Sequence, residues 1–199
     1  LADCYLQTGD RAKAMSAFGL ASAADYDPEI KEEAMFDYGK LQYEQGGGVF
    51  DGAIAVLNNY IDIEGAVVLD LFSGTGSISY EFASRGAERI VSVELNYNHY
   101  SFIKKTIVQL GFKNINVFKT DVFIACKKLK GQSFDIIFAD PPYDLEKIMD
   151  IPAAIFDNEL LAPDGLAIIE HPGTVDFSSA PFFSEHRQYG SVNFSIFRK

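Results

Sequence analysis

The sequence of 199 residues contains no tryptophan, two cysteines and three histidines, and it has fewer basic than acidic residues. Cys4 and Cys126 lie far apart and the histidines are scattered, which argues against a disulfide framework and against a metal site. So few cysteines favour a reducing compartment. No apolar run approaches the length of a membrane span and no signal peptide is recognisable, so we expect a cytoplasmic protein with no membrane partner.

The acidic excess bears on nucleic-acid binding. Lysine and arginine number 17, aspartate and glutamate 28, and the formal net charge of −11 is unfavourable for contact with a phosphate backbone. Residues 1–60 carry 4 basic and 10 acidic residues (−6), and the remainder carries 13 and 18 (−5). The front of the chain therefore holds about half of the excess. The densest basic cluster, Lys127, Lys128 and Lys130, can either contact phosphate or form a solvated helix face.

The most informative segment is an apolar run, residues 134–139, followed by Asp140-Pro141-Pro142-Tyr143. The run predicts a buried strand, and the prolines end it because they lack a backbone N–H and fix φ. A carboxylate and a phenol ring held at a sheet edge suit a flat heterocycle that carries an amino group. Asp140 and nearby carbonyls can accept its N–H bonds, and Tyr143 can stack on it with about 1–3 kcal/mol per base. The alternative is a plain Pro-Pro turn after a buried strand.

A second segment, residues 67–77, predicts a buried strand that contains Asp70 and leads through Gly74-Thr75-Gly76 into a helix. The third glycine of a dinucleotide-binding loop would fall at Ser79, so this loop is a poor match to that motif. The Asp70 carboxylate would also repel a pyrophosphate, whereas it suits a cationic ligand. S-adenosylmethionine has a sulfonium and an ammonium and no phosphate.

Two further predicted strands also close on acids. Residues 89–94 end at Glu94, twenty positions after Gly74, where a ribose-binding carboxylate belongs in a doubly wound fold. Residues 115–121 end at Asp121, for which a helix N-cap is the alternative role. Three predicted strands each end at an acidic residue, and a fourth ends at Asp-Pro-Pro-Tyr. Together they form a specific pattern.

The remaining periodicity predicts an alternation of helices and strands. We expect a helix over about 98–110 with Ile103, Ile107 and Leu110 on one face, a short helix over 122–129 and one or two helices between 145 and 161. A fifth strand over 165–170 and an antiparallel hairpin formed by 185–189 and 192–197 complete the sheet. The two hairpin segments alternate around Gly190-Ser191, so we expect their burial to alternate as well. We interpret His171, directly after the fifth strand, as a structural histidine, with a place in the pocket as the alternative.

Residues from about 56 to 197 resemble the bacterial 16S ribosomal RNA guanine-N2 methyltransferases of the RsmD type. The resemblance rests on residues 69–77 (LDLFSGTGS), Val93-Glu94, Thr120-Asp121 and residues 138–143 (FADPPY). It implies an α/β fold of class I S-adenosylmethionine-dependent methyltransferases: a Rossmann-like, seven-stranded, mostly parallel sheet with a C-terminal antiparallel hairpin. In such sheets the first and fourth strands are neighbours, so the glycine loop and the Asp-Pro-Pro-Tyr turn open side by side.

The resemblance also implies the reaction and the residues that perform it. S-adenosylmethionine is the expected cofactor, and ribosomal RNA in small-subunit assembly intermediates is the expected partner. The residues expected at the methyl-transfer site are Asp140, Pro141, Pro142 and Tyr143. The residues expected to bind the cofactor are Asp70, Phe72, Ser73, Gly74, Gly76, Glu94, Leu95, Asp121 and Val122.

The first 55 residues do not fit that family. Tyr5 and Tyr43 are 38 positions apart and Ala14 and Ala53 are 39 apart, so the segment resembles helix–turn–helix repeats of the tetratricopeptide type. An ordinary helical hairpin is the alternative. We expect two domains, 1–55 and 56–199, a protein partner for the first, and a chain that is a fragment. The basic segment that occupies this place in the family is not visible, so we expect weakened activity.

Three other functions remain open from the sequence. Adenine N6 offers the same chemistry as guanine N2, so an N6-adenine methyltransferase of DNA or RNA is one alternative. A non-catalytic interaction protein with a methyltransferase-like body is another. A NAD-dependent oxidoreductase is the third, although the missing third glycine and the Asp-Pro-Pro-Tyr turn argue against it.

Overall fold

The computed structural model describes residues 2–7, 9, 11–23, 34, 62–190 and 192–199. By their contacts the residues fall into two units, Leu1–Ala53 and Ile54–Lys199. The predicted domain boundary, between residues 55 and 56, lies outside the described residues, and the assignment of the two domains stays a prediction.

The described part of the first unit is a pair of helices, α1 (Ala2–Gln7) and α2 (Arg11–Ala23). Gly9 lies between them with φ 79°, a left-handed conformation that glycine adopts without steric cost. Ala14 and Phe18 of α2 are buried in a small apolar cluster together with Ala2 and Ala34. The tetratricopeptide resemblance stays a prediction, because its further supporting residues, 43–47, 53 and 57, lie outside the described residues.

The second unit is built on a seven-stranded sheet with the strand order β3-β2-β1-β4-β5-β7-β6. The first five strands are parallel, and β7 pairs antiparallel with both β5 and β6. This arrangement confirms the predicted mostly parallel sheet with a C-terminal hairpin, and it makes β1 and β4 neighbours. The strands are β1 (Val67–Leu71), β2 (Arg89–Glu94), β3 (Ile115–Lys119), β4 (Phe134–Ala139), β5 (Leu161–His171), β6 (Phe183–Tyr189) and β7 (Val192–Arg198).

Helices connect the parallel strands, as parallel pairing requires. They are α3 (Ser77–Ser84), α4 (Tyr97–Gln109), α5 (Val122–Lys128), a 3₁₀ turn (Ile148–Asp150) and α6 (Ile151–Phe156). Within the described residues, no helix is long and apolar enough to cross a membrane.

Alternate residues of the central strands face opposite sides of the sheet. Leu69 and Leu71 of β1 belong to a large apolar core that also contains Val122 of α5 and Ile151 and Ile155 of α6. Asp70, between the two leucines, instead contacts α3 on the other side. A carboxylate on a central strand is therefore directed toward the helix that follows the glycine loop.

Two details of the predicted elements were wrong. Leu110 was expected on the buried face of its helix, but it is the C-cap residue of α4 and 55% exposed, whereas Ile103 and Ile107 are buried. β7 was expected to alternate in burial, but Val192–Phe197 are all buried because β7 lies between β5 and β6 rather than at an edge. The outer strand of the hairpin, β6, is the one that is largely accessible.

Candidate cofactor and substrate site

The predicted site residues lie at or just beyond the carboxyl ends of β1, β2, β3 and β4. Strand order reverses between β1 and β4, and open α/β sheets bind ligands in the crevice at such a point. Register pairs Leu71 with Val93 of β2 on one side and with Ala139 of β4 on the other. The glycine loop, Glu94 and Asp140 therefore leave the sheet at the same level.

The glycine loop has a constrained backbone. Gly74 and Gly76 have φ 54° and 86°, and Phe72 also has a positive φ, 63°. A bulky residue in this conformation costs on the order of 1–2 kcal/mol, and such strain concentrates at functional sites. The Phe72 side chain packs against the large core, and Ser73 donates its backbone N–H to the Val93 carbonyl at 3.0 Å. The Phe72 side chain is therefore directed into the core, and Gly74 and Gly76 have no side chain.

Gly76 is required by close packing as well as by its φ. A Cβ at this position would lie 2.7 Å from the Tyr80 ring, whereas a Cβ at Gly74 would meet nothing within 4 Å. The Tyr80 hydroxyl donates to the Thr75 carbonyl at 2.8 Å, and its ring stacks on Phe112 with centroids 6.3 Å apart. Tyr80 of α3 thus fixes the loop that precedes its own helix.

Asp70 is buried and already hydrogen-bonded. The Ser79 hydroxyl contacts one of its carboxylate oxygens and also lies 2.6 Å from the Ser92 hydroxyl. The pKa of Asp70 is raised to about 7, mainly by burial and to a smaller extent by the charges of Asp140 and Glu94, while the hydrogen bonds from Ser79 and Ser73 partly offset the rise. Ser79 occupies the place of the third glycine in a dinucleotide loop, and here its hydroxyl is used to pair a buried acid.

Glu94 connects the glycine loop to the next turn. One carboxylate oxygen accepts the Gly74 N–H at 2.8 Å, and the other accepts the Asn96 N–H at 2.6 Å. Asn96 in turn caps α4, since its side chain accepts from Asn98 N and His99 N. A carboxylate has about four acceptor positions, so Glu94 retains capacity for two further donors.

The next three predicted cofactor residues follow the neighbouring strands β2 and β3. Leu95 is exposed beside Glu94. β3 ends at Lys119, so Asp121 is not the last residue of the strand but the N-cap of α5, where its Oδ1 accepts the Ile124 N–H at 3.1 Å. Val122 is the first residue of α5, where backbone N–H groups have no partner within the helix. The capping role leaves the second oxygen of Asp121 for a ligand.

The Asp-Pro-Pro-Tyr segment forms a tight turn beyond β4. The Asp140 N–H approaches the Leu71 carbonyl at 3.4 Å, and the Leu145 N–H closes the turn on the Pro142 carbonyl at 2.9 Å. Pro141 is buried, and Tyr143 is 52% exposed. The turn therefore presents a half-exposed phenol ring beside a largely buried carboxyl group.

Glu170 belongs to this site and was missed in the sequence, where it was assigned only to the fifth strand. Its Oε1 accepts the Tyr143 hydroxyl at 3.1 Å, although it is 27 residues away. Burial raises the pKa of both Asp140 and Glu170, and the Asp140 charge raises that of Glu170 further. The pKa of Tyr143 rises to about 12, through burial and the neighbouring Glu170. The position of Glu170, one residue before the end of β5, was the signal in the sequence that could have identified it as a site residue.

His171 faces away from this site. Its Nε2 lies 2.9 Å from the Ser195 hydroxyl, and its ring meets the edge of Phe177 with centroids 5.2 Å apart. Phe177 belongs to the large core on the opposite side of the sheet from Asp70. The histidine is therefore structural, as the sequence suggested. Among the residues that the structure describes, no three acidic, histidine or cysteine side chains are grouped so as to hold a metal ion.

The strand order, the glycine loop and the acidic strand ends together define a class I S-adenosylmethionine-dependent methyltransferase fold. Solved structures agree: "Putative methyltransferase yhhF from Escherichia coli" superposes with a TM-score of 0.67 at 23% identity, over 75% of this chain and 85% of that chain. SMU.776, "a putative methyltransferase complexed with SAH", superposes with a TM-score of 0.59 at 22% identity, over 72% and 48%. The predicted fold class is thus confirmed.

The family model "Conserved hypothetical protein 95" matches residues 49–198, and the chain belongs to this family. The match begins seven residues before the start expected from the sequence. Ribosomal RNA small subunit methyltransferase D of Buchnera aphidicola subsp. Baizongia pistaciae is 27% identical over 133 residues, which are 65% of this chain and 67% of that protein. The chain is therefore a methyltransferase, and the resemblance to the RsmD type is confirmed.

The buried acid predicts an unusual pH dependence of stability. Asp70 has a folded pKa of about 7 against 3.8 when unfolded, so its contribution to stability is fully present below about pH 4 and is lost as the pH rises through about 7. From this group alone, the ligand-free protein should gain about 2 kcal/mol in unfolding free energy between pH 8 and pH 5.5. Asp70→Asn keeps an acceptor for Ser79 and should remove that gain. Urea unfolding of both proteins at the two pH values tests this, and an equal pH dependence would contradict it.

Proposed function

We propose that this chain transfers a methyl group from S-adenosylmethionine to the exocyclic N2 of a guanine in 16S ribosomal RNA. The observation that carries the proposal is the Asp140–Tyr143 turn beside the glycine loop, with the carboxyl group partly buried and the ring half-exposed. The similarity to ribosomal RNA small subunit methyltransferase D supports the substrate class.

The cofactor is S-adenosylmethionine, and the chemistry it supplies is an electrophilic methyl group on a positively charged sulfur. The acidic strand ends fit this ligand, because the charges of Asp140 and Glu94 disfavour the ionised form of Asp70, and a positively charged ligand beside them offsets that repulsion. The backbone of Ser73, Gly74 and Gly76 approaches the methionine part, where side chains would clash. Because the Asp70 carboxyl group is buried against Ser79, it acts on the ammonium group of the cofactor indirectly. It fixes the glycine loop and contributes negative electrostatic potential.

Glu94 holds the ribose. Its two oxygens each accept one backbone N–H, from Gly74 and Asn96, which orients the carboxylate and leaves acceptor positions for two hydroxyl groups. Leu95 provides an apolar wall beside it. Asp121 accepts from the adenine amino group with the oxygen that does not cap α5, and the Val122 N–H bonds the ring. These charge-assisted bonds contribute about 1.5–3 kcal/mol each.

Asp140 orients the nucleophile. A guanine amine is weakly nucleophilic because its lone pair is delocalised into the ring. Asp140 and the Pro141 carbonyl accept its two N–H bonds and direct the lone pair toward the methyl carbon. As the new N–C bond forms, the S–C bond breaks and S-adenosylhomocysteine leaves, and the amine then loses one of its two protons to the Asp140 carboxylate. Pro141 and Pro142 keep the turn rigid, so the positioning of two bound reactants supplies much of the rate enhancement. The target base must leave its stack to enter the crevice, and Tyr143 then stacks on it.

The RNA substrate is proposed to be a partly assembled small subunit. Residues 61–199 have a net charge of −5, which disfavours binding to RNA alone. Lys127, Lys128 and Lys130 are exposed at the end of α5 and the turn after it, and they supply local phosphate contacts. An assembly particle adds protein surface to the contact, and the N-terminal helices are a candidate for binding a protein partner.

We predict that Glu94→Ala weakens the binding of S-adenosylmethionine and of S-adenosylhomocysteine by at least about tenfold, through lost ribose bonds and a loosened Gly74 loop. Isothermal titration calorimetry measures both affinities. Glu88→Ala, at an exposed acid in the turn before β2, is the matched control and should bind as the wild type does. An unchanged affinity for Glu94→Ala would show that the ribose assignment is wrong.

We predict N2-methylguanosine as the product when labelled S-adenosylmethionine is supplied with 16S RNA, and more of it with partly assembled subunits than with naked RNA. Nucleoside analysis of the digested RNA identifies the product. Asp140→Ala should lower the rate by about 100-fold or more, because orientation of the amine is lost, and it should weaken cofactor binding less than Glu94→Ala does. Asp144→Ala, at an exposed acid four positions on, is the control. N6-methyladenosine would favour the adenine alternative, and cofactor binding without transfer to any RNA would favour an interaction protein.

A further inference from the structure

The hydrogen bond between Tyr143 and Glu170 joins the Asp-Pro-Pro-Tyr turn to the end of β5. We propose that Glu170 is a positioning residue that fixes the Tyr143 ring in the orientation needed to stack on the target base. The proposal rests on the proposed function of base methylation, and it deepens it by assigning a role to a residue outside the turn. Glu170 itself does not contact the base.

The Tyr143 ring is held at both ends. At its backbone end, two consecutive prolines precede it, and the Leu145 N–H closes the turn on Pro142 at 2.9 Å. At its other end, the Tyr143 hydroxyl donates a hydrogen bond to Glu170 Oε1 at 3.1 Å. The side chain is nevertheless 52% exposed, so a face of the ring is accessible. An accessible ring that is fixed at both ends is a preformed stacking surface.

The acceptor of this hydrogen bond, Glu170, lies on a strand inside the sheet. Glu170 is 1% exposed and lies in β5, between β4 and β7. The register pairs Ala139 with Ile169, so Asp140 and Glu170 are the next residues on adjacent parallel strands. On the other side Glu170 is paired with Phe194 of β7. The backbone of Glu170 is therefore fixed by strands on both sides, and its side chain leaves the sheet next to that of Asp140.

Fixing the ring has an energetic consequence for substrate binding. An exposed tyrosine normally samples several rotamers, and ordering it on binding costs free energy. The Glu170 bond removes that cost before the base arrives. Base–aromatic stacking then contributes to affinity without that loss. Removing the bond should therefore raise KM for RNA and leave kcat and cofactor affinity little changed.

A carboxyl group suits this acceptor position because of its neighbour. Burial and the charge of Asp140 raise the pKa of Glu170, which favours a protonated Glu170 at neutral pH. The group can then accept the tyrosine hydroxyl through its carbonyl oxygen without placing a second negative charge beside Asp140. A glutamine at this position has the same shape and the same acceptor, so Glu170→Gln should preserve the function of the bond.

The test compares four variants: Tyr143→Phe, Glu170→Leu, Glu170→Gln and the double variant Tyr143→Phe/Glu170→Leu. We expect Tyr143→Phe and Glu170→Leu each to raise KM for the RNA substrate by about five- to tenfold, with kcat within about twofold. The double variant should be no worse than either single variant, because both remove the same bond. Glu170→Gln should stay within about twofold of the wild type. Tyr143→Ala, which also removes the ring, should be worse than Tyr143→Phe.

A second measurement detects the bond without relying on turnover. In protein labelled at the tyrosine Cζ with carbon-13, the Tyr143 resonance is assigned by its loss in Tyr143→Phe. It should shift in Glu170→Leu and return toward the wild-type position in Glu170→Gln. The Tyr80 resonance is the internal control, since the Tyr80 hydroxyl donates to the Thr75 carbonyl and should not respond. Melting temperatures of all variants report any general loss of stability.

The outcomes separate the two proposals. Additive KM effects, a Glu170→Gln variant as impaired as Glu170→Leu, or a Tyr143→Phe variant equal to the wild type would each overturn the role of Glu170. A wild type that methylates no RNA would overturn the proposed function. In that case, the Cζ shifts and the affinity for guanosine monophosphate, measured with S-adenosylhomocysteine bound, decide whether Glu170 positions the ring. Unchanged shift and affinity in Glu170→Leu would reject it.

Discussion

Parallel strands end at the same edge of a sheet, and in this chain β1, β2, β4 and β5 each carry a carboxyl group within one residue of that edge. Four carboxyl groups therefore lie close together with little access to solvent: those of Asp70, Glu94, Asp140 and Glu170. Burial raises the pKa of three of them, Asp70, Asp140 and Glu170, and repulsion from the Asp140 charge raises that of Asp70 and Glu170 as well. An edge of this kind favours a positively charged ligand, and a methyl donor with a sulfonium and an ammonium satisfies that preference.

The rest of the site keeps these groups apart and oriented. Ser79 and Ser92 share a hydrogen-bond network with Asp70, while Gly74 and Asn96 donate their N–H groups to Glu94, and Tyr143 donates to Glu170. Three of the four acids, Asp70, Glu94 and Glu170, thus have a hydrogen-bonding partner that limits the movement of the side chain, as buried polar groups require. The same bonds shape the crevice, because they fix the glycine loop on one side and the aromatic turn on the other. Stability of the fold and geometry of the site therefore depend on the same contacts.

Much of this arrangement could be predicted from the sequence, because local patterns determine it. The strands before Asp140 and Glu94, the glycine loop and the hairpin were placed by their apolar runs and their turn residues. The positive φ of Phe72, the pairing of Asp70 with Ser79 and the Tyr143–Glu170 bond could not be predicted, since they depend on register and on contacts between distant segments. The full burial of β7 was missed for the same reason, because its neighbours on both sides are set by topology.

The central claim is that crowded carboxyl groups bind a cationic cofactor, and proton linkage tests it most directly. Calorimetric titration of S-adenosylmethionine at pH 6.5, in two buffers with different ionisation enthalpies, gives the number of protons exchanged on binding. Because Asp70 has a pKa of about 7 in the ligand-free protein and a nearby positive charge lowers it, we predict a net release of protons. S-adenosylhomocysteine, which lacks the sulfonium charge, should release fewer. No release, or a net uptake of protons with S-adenosylmethionine, would contradict the account.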